Sequence, residues 1–511
     1  MSQLTQSASR RLFLQQASAL SAIGASAGPL AMALASASAV SASNANDYKA
    51  LVCIFLQGGN DAFNTVLATD DASWSSYTAV RNQAPDSIAL LRNAAPERTR
   101  VIGSPAWLGG VLPVNATTTQ NGRSFALHPL LTDVQHLFND QKKLAIVANV
   151  GPLIEPLSKT DYAATLKTKP KKLFSHNDQQ STWLALAPEG ATVGWGGQLA
   201  DAIASSNGNS MFTAITASGN AVWLSGKTVK PYQVSDTGPI RLGSPYDAMG
   251  GRQVFGSADV AAALETVASQ SRNNHVMSAD LADLGQRSIA AERMLSKALP
   301  SKDALPYGPA TQIQYDMLGG GRSTNPLAQQ LQTVARIIGA QATLGLKRQV
   351  FYVTLGGFDT HNTQNRNHAE LMARLNHGLK YFDTVLTDMG MSGQVTTFTA
   401  SDFGRSFTSN GDGSDHGWGG HHFIMGGAVK GGDLYGDFPT LARKNTNNNG
   451  FDGSTDQLNN GVLLPRISVD QYGATLGSWL GLSGRELASI FPNLSRFAGH
   501  QNLGFMKAST T

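Results

Sequence analysis

Cysteine is almost absent from this chain. Cys53 is the only one in 511 residues, so no intramolecular disulfide can form in any redox compartment. Its place in the apolar run LVCIFL marks a buried small residue rather than a reactive thiol. Charge is scarce as well: 14% of residues are charged and the formal net charge is +4. Two of the positives, Arg10 and Arg11, fall in a leader, and the rest are too few and too dispersed for a nucleic-acid footprint. Beyond the leader no apolar run is long enough to span a bilayer, and there is no internal repeat. What the chain does have is 41% hydrophobic residues and 53 glycines, the composition of a globular protein with many turns.

The chemistry concentrates at 394–432, QVTTFTASDFGRSFTSNGDGSDHGWGGHHFIMGGAVKGG. The β-branched and aromatic run Val395, Thr396, Thr397, Phe398 and Thr399 suits a strand buried on both faces. Asp402 falls just past its end, and in open α/β sheets the carboxyl edge of the strands is where ligands bind. Turn chemistry follows, then Asp415, His416, His421 and His422, and a second apolar run at 423–425. Any one of these histidines could simply cap a turn. As a cluster on a loop between strands they are candidates for a site.

Taken in order, the chain opens with SRRLFLQ at 9–15 and an alanine-rich stretch ending in small residues at Ala35, Ala37 and Ala39. That is a signal peptide over residues 1–42, and its paired arginines resemble the bacterial twin-arginine signal, which implies export of the folded protein to the periplasm or beyond by the twin-arginine machinery. Apolar runs at 51–56, 144–150 and 349–355 read as strands, and the first and last are followed by acids: Asp61 after GGN, then Asp359 and His361 in GGFDTH. Ser175 and His176 stand before a possible helix. Serine there can be an N-cap or a nucleophile aided by the helix dipole. Asn325 and Pro326 open a helix whose Leu327, Leu331, Val334 and Ile338 recur at helical spacing, and an amphipathic segment spans about 368–389. Strand and helix therefore alternate, as an α/β fold with a mainly parallel sheet requires. The expected organisation is one domain at 47–505 with an irregular insertion near 194–320. Residues 444–460, rich in asparagine and glycine, read as a turn-rich surface excursion.

Several segments match a known family in combination. LVCIFLQGGNDAFNTVL, FALHPLL, LFSHNDQQSTW, VFYVTLGGFDTHN, SDFGRS, DHGWGGHHFIMGGAVKGG and LPRISVDQYGATLGSWLGL resemble the exported bacterial domain of unknown function 1501. That family in turn looks like a distant relative of the alkaline phosphatase and sulfatase superfamily. The resemblance implies a three-layer α/β/α sandwich carrying one or two divalent metals. Carried over, Asp61 matches the acid after the first strand, Ser175 the nucleophile with His176 and Arg405 beside it in the catalytic set, and Asp359 with His361 a pair of metal ligands. Asp402 matches the acid of the superfamily's Asp-His pair, and His416 or His421 its last histidine. Phe403 stands where the superfamily has histidine, and Asp415 with His416 would supply a replacement from the loop.

Such a site would act on a phosphate or sulfate ester, because a metal pair can hold the charge that builds on attacking and leaving oxygens. Mixed carboxylate and imidazole ligands suit zinc, manganese or iron, and a carboxylate-dominated subset calcium or magnesium. The expected partner is a small-molecule or glycan ester. The alternative is a non-catalytic exported protein that binds a metal or an anionic glycan on the same fold.

Overall fold

The computed structural model describes residues 47–165, 167–245, 252–270, 275–499 and 501–508. The signal expected at 1–42 lies outside the described residues. From Tyr48 onward the chain forms one unit of dense internal contacts.

Its centre is a ten-stranded sheet. The strands are β1 (Lys49–Gln57), β2 (Leu144–Gly151), β3 (Ala214–Thr216), β4 (Tyr232–Ser235), β5 (Gly238–Pro239), β6 (Arg348–Gly356), β7 (Val395–Ser401), β8 (Gly420–Met425), β9 (Leu434–Tyr435) and β10 (Ile467–Ser468). They lie in the order β9-β2-β8-β7-β1-β6-β3-β4-β5, with β10 pairing beside β2. β1 runs parallel to both β6 and β7, and β3 parallel to β6. β8 is antiparallel to both its neighbours.

β1 is apolar throughout because both of its faces are covered. Ala50, Val52, Ile54 and Leu56 enter one core and Leu51, Cys53 and Phe55 the other. Cys53 is 1% exposed, and burial pushes its thiol well above the ordinary range. Seven helices matter below: α1 (His176–Ala185), α2 (Trp195–Ile203), α3 (Ala258–Ser269), α4 (Val276–Ala298), α5 (Pro326–Gly339), α6 (Gln364–Asp388) and α7 (Val469–Leu480). α5 starts where Asn325 caps Leu327 N–H with Pro326 in the first turn, and Leu327, Leu331, Val334 and Ile338 are essentially inaccessible. With α6 it covers the first face, while α1, α2 and α7 cover the second. The fold is thus a three-layer α/β/α sandwich around a mainly parallel sheet.

The stretch at 194–320 is not an insertion throughout. Trp195 and Trp223 fill the second core, and β3, β4 and β5 extend the sheet. Strands of two to four residues leave too little periodicity to be read in sequence.

In parallel register Gln57 pairs with Gly356 and Leu56 with Ser401, so β1, β6 and β7 end at one edge. β1 then turns sharply through Gly58 and Gly59, at φ 114° and 86°. Gly58 N–H donates to the Asp402 carboxylate, and Asn60 N–H donates to Ser401 Oγ at 2.9 Å. A Cβ on Gly59 would lie 2.3 Å from the Phe403 ring. Gly59→Ala should therefore cost roughly 1–3 kcal/mol or more of stability through backbone strain and overpacking. An unchanged denaturation midpoint would contradict this account of the turn.

Candidate metal centre

Two loops meet at this edge. After β6 the chain turns through Asp359 and His361. After β7 it forms a hairpin of Arg405–Ser409 and Ser414–His416, in which Arg405 pairs with His416. The hairpin docks closely on the first loop: Ser414 N–H donates to Thr360 O at 3.2 Å, and a Cβ on Gly413 would lie 2.4 Å from the His361 carbonyl.

The histidine orientations follow from their outer partners. His416 Nδ1 lies 2.8 Å from Phe174 O, which can only accept. His361 Nδ1 lies 3.2 Å from Asp415 Oδ1. Each Nδ1 is thereby assigned a proton, and each ring turns its Nε2 inward. Those two Nε2 atoms are 2.9 Å apart, and Asp359 Oδ1 is 3.1 Å from one and 3.4 Å from the other. Electron-rich atoms so close require a proton or a cation among them. An outer acceptor that fixes the tautomer is also what metal-ligating histidines use.

His176, the first residue of α1, completes the cluster. Its Nε2 is buried without a hydrogen-bond partner and stands 3.4 Å from Asp359 Oδ2. Its Nδ1 is 3.9 Å from Asp402 Oδ2. One donor atom each from His176, Asp359 and His416 lie within 4.8 Å of one another, close enough to hold an ion. Attraction to Asp402 raises His176 above the usual imidazole value against the opposing effect of burial. Burial lowers His416, with the charges of His176 and Arg405 adding to it. Burial would raise Asp359, but the Arg405 hydrogen bond and charge outweigh it and leave the carboxyl below its ordinary value. An imidazole-rich set with one or two carboxylates fits zinc, manganese or iron better than the oxygen cages of calcium or magnesium.

Phe174, which supplies the carbonyl to His416, sits at φ 71°. An aromatic residue takes that left-handed position only under constraint. Beside it opens a cleft of about 730 Å³ whose lining includes Tyr162, Phe174, His361, Asp415, His416 and Phe451. Part of its wall is the asparagine-rich excursion, which Lys159 Nζ pins through Phe451 O and Ser454 O, both at 2.8 Å.

The sequence profile of the family described as Protein of unknown function (DUF1501) matches residues 48–491. The chain belongs to that family. No curated protein matches it. Among solved structures, Ps i-CgsB in complex with k-i-k-neocarrahexaose is 9% identical with TM-score 0.32, over 88% of this chain and 76% of that one. A structure from work on glycosaminoglycan metabolism by Bacteroides thetaiotaomicron is 9% identical with TM-score 0.29, over 85% and 73%. The lipoteichoic acid synthase LtaP from Listeria monocytogenes is 10% identical with TM-score 0.25, over 78% and 73%. At such TM-scores these likenesses bear on neither activity nor substrate.

Three of the expected site residues of this DUF1501 chain, Asp61, His421 and Arg405, are engaged elsewhere, while Ser175 stays at the helix start directly before His176. Asp61 shares the strand edge but not the cluster: it is fully buried, with its two oxygens on Arg81 at 3.0 and 2.6 Å and a further bond from Gln364. Burial would raise its carboxyl, yet Arg81 outweighs burial and holds it below the ordinary value. His421 faces away, with Nδ1 accepting from Asn149 N–H at 3.0 Å and its ring stacked 4.6 Å from Phe438. Burial pushes it down to about 3. Arg405 is fully buried, and every guanidinium nitrogen is engaged, by Asp359, Gly58 O, Ser414 O and Ser414 Oγ. It holds Asp359 and, being fully buried, presents no surface to a substrate. Ser175 sits at the N-cap of α1 but makes no capping bond; its hydroxyl donates instead to Asp178 Oδ2 at 3.2 Å. Asp178 was not singled out from sequence, although Ser-x-x-Asp is the spacing at which a first helical turn brings two such groups together. Asp415 lies one step out, on His361.

The Asp61–Arg81 pair is structural, and its stabilisation is present above the ordinary carboxylate range and lost on acidification through the lowered value. Removing one partner, as in Arg81→Ala, should cost roughly 3–5 kcal/mol, whereas replacing both with apolar residues of similar volume should cost much less. Denaturant midpoints of the single and double variants check this, and equal losses in both would contradict it.

Proposed function

We propose that this chain is an exported metal-dependent hydrolase of phosphate or sulfate esters. The observation that carries the reading is the convergence of His176, Asp359 and His416, with His361 beside them, on one point next to a helix start bearing Ser175. Those four residues would hold a divalent cation, which when bound supplies Lewis acidity toward an ester oxygen and a lower pKa for a nearby hydroxyl. Asp359 is kept anionic by Arg405. Asp402, itself fixed by Gly58 N–H, places a carboxylate oxygen 3.9 Å from His176 Nδ1. The Ser175 hydroxyl directs its proton at Asp178, so Asp178 would take that proton as Oγ bonds to phosphorus or sulfur and the bond to the ester oxygen breaks; the leaving alkoxide would take a proton from water in the open cleft, and a second water would then displace the serine and release phosphate or sulfate. The cleft at 730 Å³ has room for the alcohol portion of an ester. Export through the twin-arginine machinery, by way of Arg10 and Arg11, belongs to the same proposal.

A second reading, a metal- or anionic-glycan-binding protein without catalysis, is favoured by Phe403. Its ring centroid lies 4.7 Å from those of both His176 and His416, so an apolar side chain fills the place where the resemblance puts a further imidazole.

Aryl phosphates and aryl sulfates separate the two. With metal-loaded protein, Ser175→Ala should abolish nearly all turnover while leaving metal content and unfolding midpoint unchanged. Equal turnover by Ser175→Ala would overturn the nucleophile, and no turnover by wild type on any ester would favour the binding protein.

A further inference from the structure

The helical hairpin of α3 and α4 is packed inside out. Where its helices meet, the contacts are made by small residues: Ala261 and Ala282 are buried, and a Cβ on Gly285 would lie 1.9 Å from Ala268 O. The large apolar side chains are outside. Val260, Leu264 and Val267 on α3 are each more than a third exposed, and on α4 Met277, Leu281 and Leu284 are 71%, 68% and 55% exposed. A free-standing hairpin would use those six to hold itself together.

The six follow a pattern. On each helix they are spaced four then three, the alternation of a coiled-coil seam. On α4 the same seven-residue spacing also reaches Ala291 and Leu295, which are buried in the main core. The repeat is interrupted by the exposed Ser288, which separates the exposed stripe from the buried Ala291 and Leu295. At 100° per residue, each apolar stripe lies roughly a quarter turn from the small residues that face the other helix. The rotation has the same sense on both helices seen from their N-termini. Since the helices are antiparallel, with Arg293 paired to Glu265 and Gln286 bonded to Ser269 O, the two stripes come out on one side.

We infer that this face is the interface of a two-fold homodimer, in which the hairpins of two copies form a four-helix bundle. Charge supports a second copy over other occupants. Asp280 and Arg287 lie seven residues apart on the outer flank of the α4 stripe, and both are exposed. When two α4 helices pair antiparallel about an axis near Leu281 and Leu284, flanking residues of this kind meet their own counterparts, so Asp280 of each copy comes opposite Arg287 of the other. The area also fits: the six side chains offer roughly 600 Å² per copy, which with the rim approaches the ~800 Å² per partner of a standard interface. A lipid surface suits the face poorly, because the flank of the α4 stripe carries Asp280 as well as Arg287, where a membrane-lying helix carries lysine and arginine.

Sedimentation equilibrium of the mature chain tests this, with circular dichroism to check that each variant is folded. The wild type should be dimeric at micromolar concentration. Leu281→Glu with Leu284→Glu should give a monomer with unchanged helix content, since both positions are exposed. Asp280→Arg alone and Arg287→Asp alone should each weaken association by about tenfold or more, and the two together should restore it. A wild type that is monomeric at all concentrations, a dimer indifferent to the leucine pair, a double charge variant no tighter than the singles, or monomers that cosediment with anionic phospholipid vesicles would overturn the inference.

Discussion

A buried guanidinium organises the centre. Arg405 has no contact with solvent, so its charge must be met inside the protein, and its donors reach three separate pieces of chain. Gly58 O belongs to the turn after β1, Asp359 to the loop after β6, and Ser414 to the far strand of its own hairpin. One side chain thereby ties two parallel strand ends to the loop that carries His416. It also sets the state of Asp359, which stays ionised beside three imidazoles because a full positive charge stands behind it. It adds a charged tie to the backbone contact between Ser414 and Thr360 that also joins the two histidine-bearing loops.

The Asp61–Arg81 pair repeats the device one layer away. Asp61 draws in Gln364, whose Oε1 accepts from Ser414 Oγ at 2.6 Å, and Ser414 is held in turn by Arg405. The buried Asp61–Arg81 pair and the Arg405–Asp359 pair, whose carboxylate is exposed, therefore belong to one polar network beneath the cluster. Such networks stabilise only when every member is satisfied, which makes this one a means of specifying geometry more than a source of stability. Phe403 closes the cluster from the apolar side, its ring seated over Gly59 and between His176 and His416.

Much of this was legible in the sequence. Continuous apolar runs announced β1, β2, β6 and β7, because strands covered on both faces carry no polar alternation. Acids and histidines just beyond them marked the edge where Asp359, His361, Asp402 and His416 meet. What sequence could not supply was direction. Asp61 has the same sequence context as Asp359, and only the helix bearing Arg81, folded back over it, turns one into a structural ion pair. His421 and His422 had a signal that was available: both lie in the strand β8, where neighbours point to opposite faces. His422 accordingly packs against Trp183 and Tyr472, and His421 against Phe438. Arg405 read as a catalytic cation because nothing local reveals that it is fully buried behind Asp359. The inverted hairpin was hidden for a related reason, since alanine-rich helices look alike whichever face they bury.

The inward-facing nitrogens of His361 and His416, with His176 and Asp359, are proposed as a metal centre. Elemental analysis of protein purified from its native compartment tests this most directly. About one equivalent of zinc, manganese or iron per chain is expected, lost in His416→Ala and in His176→Ala while the fold is retained, and kept in His421→Ala when that variant folds. A wild type free of these metals, or metal content undiminished by both of the first two substitutions, would contradict it.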